Sequence, residues 1–371
     1  MDTFNLINTK TKKKNIFFHK KIQHLSKKCK NLLLLFIFIL NIFIIYLVNK
    51  LKLKLDKIIL GNKNESQNIN NIDYRTNINI LEESIFKQND FCDNPNKYYN
   101  LEYENMIKLT DFSFKNISYQ MYVYKSNDNF MSNEIIKTRQ YEPKCMSNFY
   151  DVLQYYSKVK NISNNKDIYM LDIGGNIGAY PSFLGKLGYS VISFEASPRN
   201  YYILKKNYCH INRQSNIVII NRGISNKEKA CNYYSQLGGI GNGILLCNEK
   251  KERITLDGFQ WIKTFEVNII KLSNFIPIIE GKNVVLIKLD IEGSEGLAIE
   301  DGIELISKYH VPYIFSEFSP DYLRMHGTDP KEFLELFIKN GYKISKEGFL
   351  NVSYISVDEV TRGNIYFIYN G

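Results

Sequence analysis

The stretch that decides the fold is Tyr169-Met-Leu-Asp-Ile-Gly-Gly-Asn-Ile-Gly-Ala179. An apolar strand leads into an acid, then into a glycine turn, and then into the start of a helix. A second apolar strand ends at Glu195, twenty-one residues after Gly174. Glycines let a ligand approach the backbone closely, and an acid at this strand end can accept both hydroxyls of a ribose. The glycine turn and Glu195 together predict a nucleoside-containing cofactor. The alternative is an αβ unit whose glycines only permit tight packing.

The spacing of the glycines argues against a dinucleotide. A dinucleotide site has the pattern G-x-G-x-x-G, which places a pyrophosphate at a helix N-terminus. Here the loop runs Asp172-x-Gly174-x-x-x-Gly178, with Gly175 inside it, and Asn176 stands where the middle glycine would be. An acid at the start of the loop also suits a cationic or amine-bearing ligand. S-adenosylmethionine fits, because it has a ribose, a sulfonium and an amino group but no phosphate.

From about residue 166 onward the sequence alternates between predicted strands and helices. Strands are predicted at 168–172, 190–195, 217–221, 284–290 and 311–317, helices at 179–187, 200–211, 296–308 and 330–340, and a terminal strand pair at 342–346 and 365–369. This alternation predicts an α/β fold with a Rossmann-like, doubly wound and mainly parallel sheet, whose sites lie at the carboxyl ends of the strands. The glycine cluster 238–243 is interpreted as a hairpin tip, since no phosphate-binding Lys-Ser/Thr follows it.

Basic charge is concentrated at the N-terminus. The chain has 371 residues and a formal net charge of +10. Residues 1–57 contain thirteen lysines and two acids, which gives that segment +11 and leaves the other 314 residues at −1. A nucleic-acid-binding fold carries its basic excess on the folded domain. The sequence therefore predicts no nucleic-acid partner.

Residues 32–48 contain no charged side chain and one polar amide, Asn41. Seventeen helical residues span roughly 26 Å, which is adequate for the endoplasmic-reticulum membrane. We expect an uncleaved transmembrane signal-anchor rather than a core helix or a cleaved signal peptide. Nine lysines precede it and four follow closely, so the basic tail 1–31 is expected in the cytoplasm and the large domain in the lumen of the endoplasmic reticulum or Golgi. A mitochondrial presequence is the weaker alternative.

The remaining chain divides into a predicted flexible stem (49–85), a β-rich lead-in that caps the site (86–165) and the Rossmann-like domain (166–371). A luminal domain would expose glycosylation sequons. These begin at Asn64, Asn116, Asn161 and Asn351. An oxidising lumen also permits disulfides, and position along the chain alone suggests Cys92–Cys145 and Cys231–Cys247.

The second chemical feature is Val285-Leu-Ile-Lys-Leu-Asp-Ile-Glu-Gly-Ser-Glu295. Residues two apart in a strand share a face, so Lys288, Asp290 and Glu292 lie opposite an apolar face predicted for Val285, Ile287, Leu289 and Ile291. Three charges at the end of a central strand are costly unless they line a polar cleft. Glu317 ends the next predicted strand, roughly 5 Å away. Asp290 and Glu292 are therefore predicted to be functional, whereas Ser294 is expected to cap a helix and Glu295 to complement its dipole.

Together, the glycine loop 171–178, the Phe194–Pro198 element, the Lys-x-Asp-x-Glu-Gly element at 287–295 and Glu317 resemble the FkbM-type methyltransferases, over about residues 120–370. The resemblance implies a class I methyltransferase fold and an S-adenosylmethionine-dependent enzyme that typically methylates oxygen on small molecules, sugars or lipids. It implies that Asp172, Gly174, Asn176 and Gly178, with Gly175 in the same loop, hold the methionine end of the cofactor, and that Glu195 holds the ribose. Tyr141-Glu142 resembles an aromatic–acid pair upstream of the loop in eukaryotic members. Residues 226–270 match no pattern of the family.

Asp290 is the first choice for a general base that takes a proton from the acceptor hydroxyl. Lys288 and Glu317 are expected to orient it or tune its acidity, with Glu292 on the same charged face. Two alternatives stay open: a divalent metal held by Asp290, Glu292 and Glu317, and His326 as the base.

Two other classes of function stay open as well. One is a cofactor-binding pseudoenzyme tethered to a membrane. The other is a glycosyltransferase-like enzyme, for which Lys288-Leu-Asp-Ile-Glu292 only loosely imitates the Asp-x-Asp metal motif. The sequence does not indicate an oligomeric state.

Overall fold

The structure is a computed structural model that describes residues 68–128, 130–213 and 215–371. Residues Ile72–Gly371 form one compact unit. The predicted basic tail (1–31) and membrane anchor (32–48) lie outside the described residues. Within the described ranges, no helix combines the length and apolar character that a membrane span requires.

Helices and strands alternate along most of the described chain. The α-helices are α1 (Asn68–Asp93), α2 (Leu101–Met106), α3 (Met131–Thr138), α4 (Pro143–Val159), α5 (Ala179–Lys186), α6 (Pro198–Asn207), α7 (Ile276–Ile279), α8 (Glu295–Asp301), α9 (Glu304–Ser307), α10 (Pro320–Met325) and α11 (Pro330–Lys339). The strands are β1 (Ile107–Phe114), β2 (Ile117–Tyr124), β3 (Ile168–Ile173), β4 (Ser190–Phe194), β5 (Ile217–Ile220), β6 (Gly223–Ile224), β7 (Ala230–Gln236), β8 (Gly239–Leu246), β9 (Arg253–Leu256), β10 (Phe259–Ile270), β11 (Asn283–Leu289), β12 (Tyr313–Phe318), β13 (Tyr342–Ser345) and β14 (Gly363–Tyr369).

The central sheet has seven strands in the order β13-β14-β12-β11-β3-β4-β5. The five strands from β12 to β5 run parallel, and β14 runs antiparallel between β12 and β13. The chain order reverses at β3, which pairs with β4 on one side and with β11 on the other. Open α/β sheets bind ligands at such a switch point, beyond the carboxyl ends of the strands. The doubly wound sheet and the terminal strand pair are therefore confirmed.

Apolar side chains cover both faces of the sheet. Phe149 of α4 and Phe183 of α5 belong to the cluster on one face, whereas Ile299 of α8 and Phe337 of α11 belong to the cluster on the other. The face predicted for β11 is correct at Ile287 and Leu289 but wrong at Val285, which joins the opposite cluster. The reason is a register shift between Val284 and Leu286, which interrupts the alternation of the strand.

A second sheet is inserted between β5 and β11. Its order is β6-β10-β7-β8, with β9 paired to β10. The predicted hairpin tip is confirmed only at the start of the glycine cluster: Leu237 and Gly238 form the turn between the antiparallel strands β7 and β8, whereas residues 239–243 belong to β8. The predicted disulfide Cys231–Cys247 is also present and ties these two strands together.

The predicted stem is helical where the structure describes it, since α1 begins at Asn68. This helix covers the open edge of the central sheet: the Gln88 side chain donates to the Ile217 carbonyl at 2.9 Å and accepts from the Ile219 N–H at 3.0 Å. An edge strand has unpaired backbone groups that need partners. The expectation of flexibility is therefore wrong for residues 68–85.

The pairing Cys92–Cys145 is wrong, because Cys92, near the end of α1, bonds to Cys209. Cys145 is buried on α4 as a free thiol. Its sulfur lies 3.4 Å from the Tyr366 hydroxyl and accepts from the Asn364 amide at 3.2 Å.

The lead-in is less β-rich than predicted. Residues 107–124 form one antiparallel hairpin, β1–β2, in which the alternating segment 118–124 is indeed a strand. The rest of the lead-in is mainly helical, in α1 to α4. Apolar residues of α4 recur at helical spacing and are buried at Met146, Phe149 and Leu153.

Candidate active site

The glycine loop after β3 is pressed against the end of β11. The N–H groups of Gly174 and Gly175 both donate to the Phe194 carbonyl, at 3.0 and 2.9 Å. Gly174 has a φ of +96°, and a Cβ on it would lie 1.9 Å from the backbone oxygen of Asp290. Only glycine permits this approach, which brings the first strand end and the charged strand end together.

Glu195 lies at the end of β4, facing the loop. Its carboxylate accepts from the backbone N–H of Asn176 at 2.7 Å and of Ser197 at 2.8 Å. Burial raises the pKa of Glu195 to about 7, although the two backbone donors oppose the shift. The carboxylate thus stands at the position predicted for a ribose acceptor.

Asn176 adopts a left-handed backbone with a φ of +48°. Its Oδ1 is buried and has no hydrogen-bond partner among the described residues. Buried polar atoms are nearly always paired, so this orphaned acceptor on the cleft wall fits a ligand with hydrogen-bond donors, such as an amino group.

Asp172 lies beneath the loop and does not line the cleft. It is fully buried, accepts from the Ser193 hydroxyl at 2.7 Å and lies 3.8 Å from the Lys288 ammonium. Burial raises its pKa, and the charge of Lys288 opposes that shift. Gly175 and Gly178 are also absent from the cleft wall, where Gly174, Asn176 and Glu195 are present. Asp172 therefore supports the glycine loop from the protein interior.

Lys288 links the two strand ends from inside. Its ammonium donates to the Gly174 carbonyl at 2.9 Å and contacts the Asp290 carboxylate at 2.9 Å. Burial disfavours its charge, but the carboxylates of Asp290 and Asp172 outweigh that effect and raise its pKa. Lys288 is therefore a cation that fixes Asp290 against the glycine loop.

Asp290, Glu292 and Glu317 form an acidic cluster at the ends of β11 and β12. One carboxylate oxygen from each lies within 4.8 Å of the others. Burial and repulsion within the cluster raise the pKa of Glu292 and of Glu317. Such a trio of hard oxygen donors can share protons or hold one divalent cation. The predicted grouping of these three residues is thus present in the fold.

Ser294 and Glu295 occupy the predicted positions, at the N-cap and in the first turn of α8, but their side chains also make contacts that the sequence did not predict. The Ser294 hydroxyl makes no capping bond to α8 and lies 3.4 Å from Nδ1 of His326. The Glu295 carboxylate instead accepts from the Ile291 N–H at 2.8 Å, which closes the loop between β11 and α8. Burial lowers the pKa of His326 to about 4, and this residue lines a separate groove rather than the cleft.

An aromatic wall faces the acidic cluster. Tyr141 lines the cleft, and its ring packs edge-on against Tyr180 at 6.1 Å. The Tyr180 hydroxyl donates to the Glu142 carboxylate at 2.5 Å. Burial and the charges of Glu142 and Asp290 raise the pKa of Tyr141. The upstream Tyr141-Glu142 pair therefore stands at the site, as the resemblance implied.

The groups that line the cleft itself are Tyr141, Gly174, Asn176, Glu195, Asp290 and Glu292, and the cleft has about 670 Å³, counting the space open to solvent. Sequence reasoning missed the residues on its far wall: Ala196, Asn200, Arg222, Gly223, Ile224, Tyr233, Gly241, Asn242, Gly243 and Leu245. Arg222 follows the predicted strand 217–221 directly, so its position at a strand end was a usable signal. The residues of the inserted sheet carried none, because no local pattern indicates that this sheet covers the cleft.

The glycines of the inserted sheet are used for close packing. The Asn200 amide donates to the Gly241 carbonyl at 2.8 Å, and the Tyr124 hydroxyl donates to Asn200 at 2.6 Å. A Cβ on Gly243 would lie 2.0 Å from the Tyr233 ring. Strand β8 can therefore pack closely against the wall of the cleft that includes Asn200 and Tyr233.

Part of the chain matches a known protein family. Residues 172–344 match the family model of the methyltransferase FkbM domain, which confirms the family that the motifs predicted. No curated protein matches the chain.

Solved structures with some similarity to the chain include three methyltransferase-related proteins. A precorrin-6y C5,15-methyltransferase from Geobacter metallireducens is 10% identical over 57% of this chain and 85% of that chain, with a TM-score of 0.28. A human methyltransferase 10 domain containing protein is 10% identical over 59% of this chain and 80% of that chain, with a TM-score of 0.30. A SAM-dependent O-methyltransferase from Thermotoga maritima is 10% identical over 70% of this chain and 77% of that chain, with a TM-score of 0.29. The family assignment rests on the family model alone.

Proposed function

From the premise that residues 172–344 form a methyltransferase FkbM domain, whose cofactor is S-adenosylmethionine, we propose that this chain methylates a hydroxyl oxygen of a sugar, glycan, lipid or other small molecule. The observation that carries the proposal is the position of Asp290. Its carboxylate lines the cleft, is held at 2.9 Å by Lys288, and belongs to the residue whose backbone meets Gly174. A fixed carboxylate beside the loop for the methionine end is what deprotonation of an acceptor hydroxyl needs.

S-adenosylmethionine supplies a methyl group on a sulfonium that an oxygen nucleophile can attack in line. Asp290 would accept the proton that the acceptor hydroxyl loses when it is methylated. Lys288 keeps Asp290 in place, and Tyr141 closes the opposite wall. Glu195 and Asn176 hold the ribose and the amino-acid end through the acceptor oxygens described above. The protein thus contributes alignment and one proton acceptor.

A direct test uses the full chain in neutral phosphatidylcholine nanodiscs, tritium-labelled S-adenosylmethionine, and separate glycan and lipid extracts as acceptors. We expect label in products that survive mild alkali, because methyl ethers resist alkali whereas methyl esters hydrolyse. Asp290→Asn, which removes the charge but keeps the size, should reduce the rate about 100-fold or more. Asp358→Asn, an exposed change away from the cleft, should leave the rate unchanged.

Label that is lost in alkali, or full turnover by Asp290→Asn with intact cofactor binding, would contradict the proposal. Label in neither extract would also contradict it.

We further propose that residues 32–48 anchor the chain in the endoplasmic-reticulum or Golgi membrane with the domain in the lumen. Two disulfides, Cys92–Cys209 and Cys231–Cys247, support an oxidising compartment. The sequon residues Asn116, Asn161 and Asn351 are all exposed, which suits glycan attachment. In cells, peptide-N-glycosidase should therefore increase the mobility of the chain on gels, and Asn161→Gln should remove one glycan step. No mobility change, together with protease digestion of the domain in sealed microsomes, would contradict this topology.

A further inference from the structure

A second groove lies beside the cofactor cleft. Its volume is about 1670 Å³, counting the space open to solvent. Leu245 lines both cavities, and the loop after β11 has Glu292 in the cleft and Ser294 in the groove. The strands of the inserted sheet form one side of the groove, and α8 and the end of α10 contribute Leu297 and Met325 to the other.

The charge of the groove is opposite to that of the acidic cluster. Lys227, Lys229, Lys251 and Arg253 line it and are exposed, and Glu249 is the one acid among its lining residues. The Glu249 carboxylate already accepts from the backbone N–H groups of Lys250 and Lys251, at 2.8 and 2.9 Å. Among the ion pairs between described residues, none involves any of the four cations. Four cations and one acid give the lining of the groove a net positive charge.

The floor of the groove is apolar. Leu246, Ile254, Leu256 and Met325 pack with one side against the core of the inserted sheet, which includes Trp261, and remain partly exposed where they line the groove. Exposed apolar surface rimmed by polar groups marks a binding site more often than a plain surface does. A free anion would satisfy the lysines but would leave this floor in water.

The walls of the groove are held by covalent and backbone bonds. Cys231–Cys247 ties the segment that carries Lys229 to the segment that leads to Lys251. The Lys229 carbonyl accepts from the Ile269 N–H at 2.8 Å. Lys229 and Lys251 therefore lie next to strands that are fixed to one another, and Arg253 begins β9.

We propose that this groove binds an anionic lipid, with its charged head group on Lys229, Lys251 and Arg253 and its apolar chain on the floor formed by Leu246, Ile254 and Leu256. Positive charge at the rim complements the head group and apolar surface at the base complements the chain, independently of the methyl-transfer reaction. The site is separate from the cofactor cleft and shares one wall with it.

The test measures binding of soluble dihexanoyl phosphatidic acid by calorimetry to the full chain in phosphatidylcholine nanodiscs. Inorganic phosphate and dihexanoyl phosphatidylcholine are the comparison ligands. We expect dihexanoyl phosphatidic acid to bind at least about tenfold more tightly than either, since it alone engages both rim and floor. Lys229→Glu and Lys251→Glu should each weaken its binding about tenfold.

Lys250→Glu is the matched control, because this exposed neighbour of Lys251 does not line the groove. It should leave the affinity unchanged, and all three variants should bind S-adenosylhomocysteine like the wild type, which shows that they fold. Equal affinity for inorganic phosphate would overturn the proposal in favour of a simple anion site. Equal affinity for the phosphatidylcholine analogue, no binding, or equal loss in Lys250→Glu would overturn it as well.

Discussion

Glu195 ends β4 with its carboxylate held by two backbone N–H groups, and burial raises its pKa to about 7. A ribose is bound best when this carboxyl is ionised and accepts from both hydroxyls. We therefore predict that affinity for S-adenosylhomocysteine weakens as the pH falls from 8 to 6, by up to about tenfold per unit below the pKa. Calorimetry across this range measures the slope.

Glu195→Gln should bind more weakly at pH 8 and show almost no slope. The change Glu335→Gln, at a half-buried position of α11 that does not line the cleft, is the control and should keep the slope of the wild type. A wild-type affinity that does not vary with pH would contradict the role of Glu195.

Glu317 is the residue of the acidic cluster that should limit stability. Burial and repulsion from Glu292 and Asp290 raise its folded-state pKa above the ordinary value of 4.5. Between these two values the folded state binds more protons than the unfolded state, so the free energy of unfolding falls as the pH rises. Glu317→Gln removes the ionisable group, so the free energy of unfolding of this variant should not fall with pH for this reason.

We predict that Glu317→Gln melts higher than the wild type at pH 8 in the presence of a chelator. The expected difference is about 2–4 °C, which corresponds to about 1 kcal/mol, and it should shrink toward pH 5. Thermal unfolding followed by circular dichroism measures it. A lower melting temperature at pH 8 would show that the charge stabilises the fold, and a rise on adding Mn²⁺ to the wild type alone would indicate a cation held by the cluster.

At the scale of residues, the sequence predicted the convergence of Gly174, Asn176, Glu195 and Asp290, because strand-end positions in a doubly wound sheet are set by topology. It did not predict that Asp172 lies beneath the loop. That position depends on Lys288 and Ser193 packing around its carboxylate, which no spacing along the chain reveals.

Among the elements, α1 depends on tertiary contacts. Its segment is polar and rich in Asn, which is a weak helix former. Gln88 satisfies the edge of β5, and Cys92 bonds to Cys209 across 117 residues. These long-range bonds explain why the sequence predicted a flexible stem where the structure has a helix. The inserted sheet was missed for a similar reason, since its place over the cleft is set by packing around Gly241 and Gly243.

We predict that Cys92→Ser/Cys209→Ser lowers the free energy of unfolding by about 3–5 kcal/mol, because the bond closes a long loop. The native bond Cys231–Cys247 closes a shorter loop, with a separation of 16 residues. The matched double variant Cys231→Ser/Cys247→Ser should therefore lose about 1–2 kcal/mol less of the free energy of unfolding. Urea unfolding of both variants measures the difference. Peptide mapping that finds Cys92 joined to Cys145 would contradict the arrangement.

At the scale of the whole molecule, charge is divided between two neighbouring cavities. The cofactor cleft carries the acidic residues Glu195, Asp290 and Glu292, whereas the second groove carries lysines and Arg253. The net charge of the chain conceals this division, because all of its positive excess belongs to residues 1–57. The sequence predicted the class of fold and the cofactor, but only the three-dimensional arrangement shows the second groove.

The most direct test of the central claim is calorimetry of the full chain, in phosphatidylcholine nanodiscs, with S-adenosylmethionine and with a set of uridine and guanosine nucleotide sugars. We expect S-adenosylmethionine to bind with micromolar affinity and the nucleotide sugars not to bind, because the cleft offers carboxylates to a sulfonium and no cradle for a diphosphate. Binding of a nucleotide sugar without binding of S-adenosylmethionine would contradict the conclusion that the cleft is an S-adenosylmethionine site.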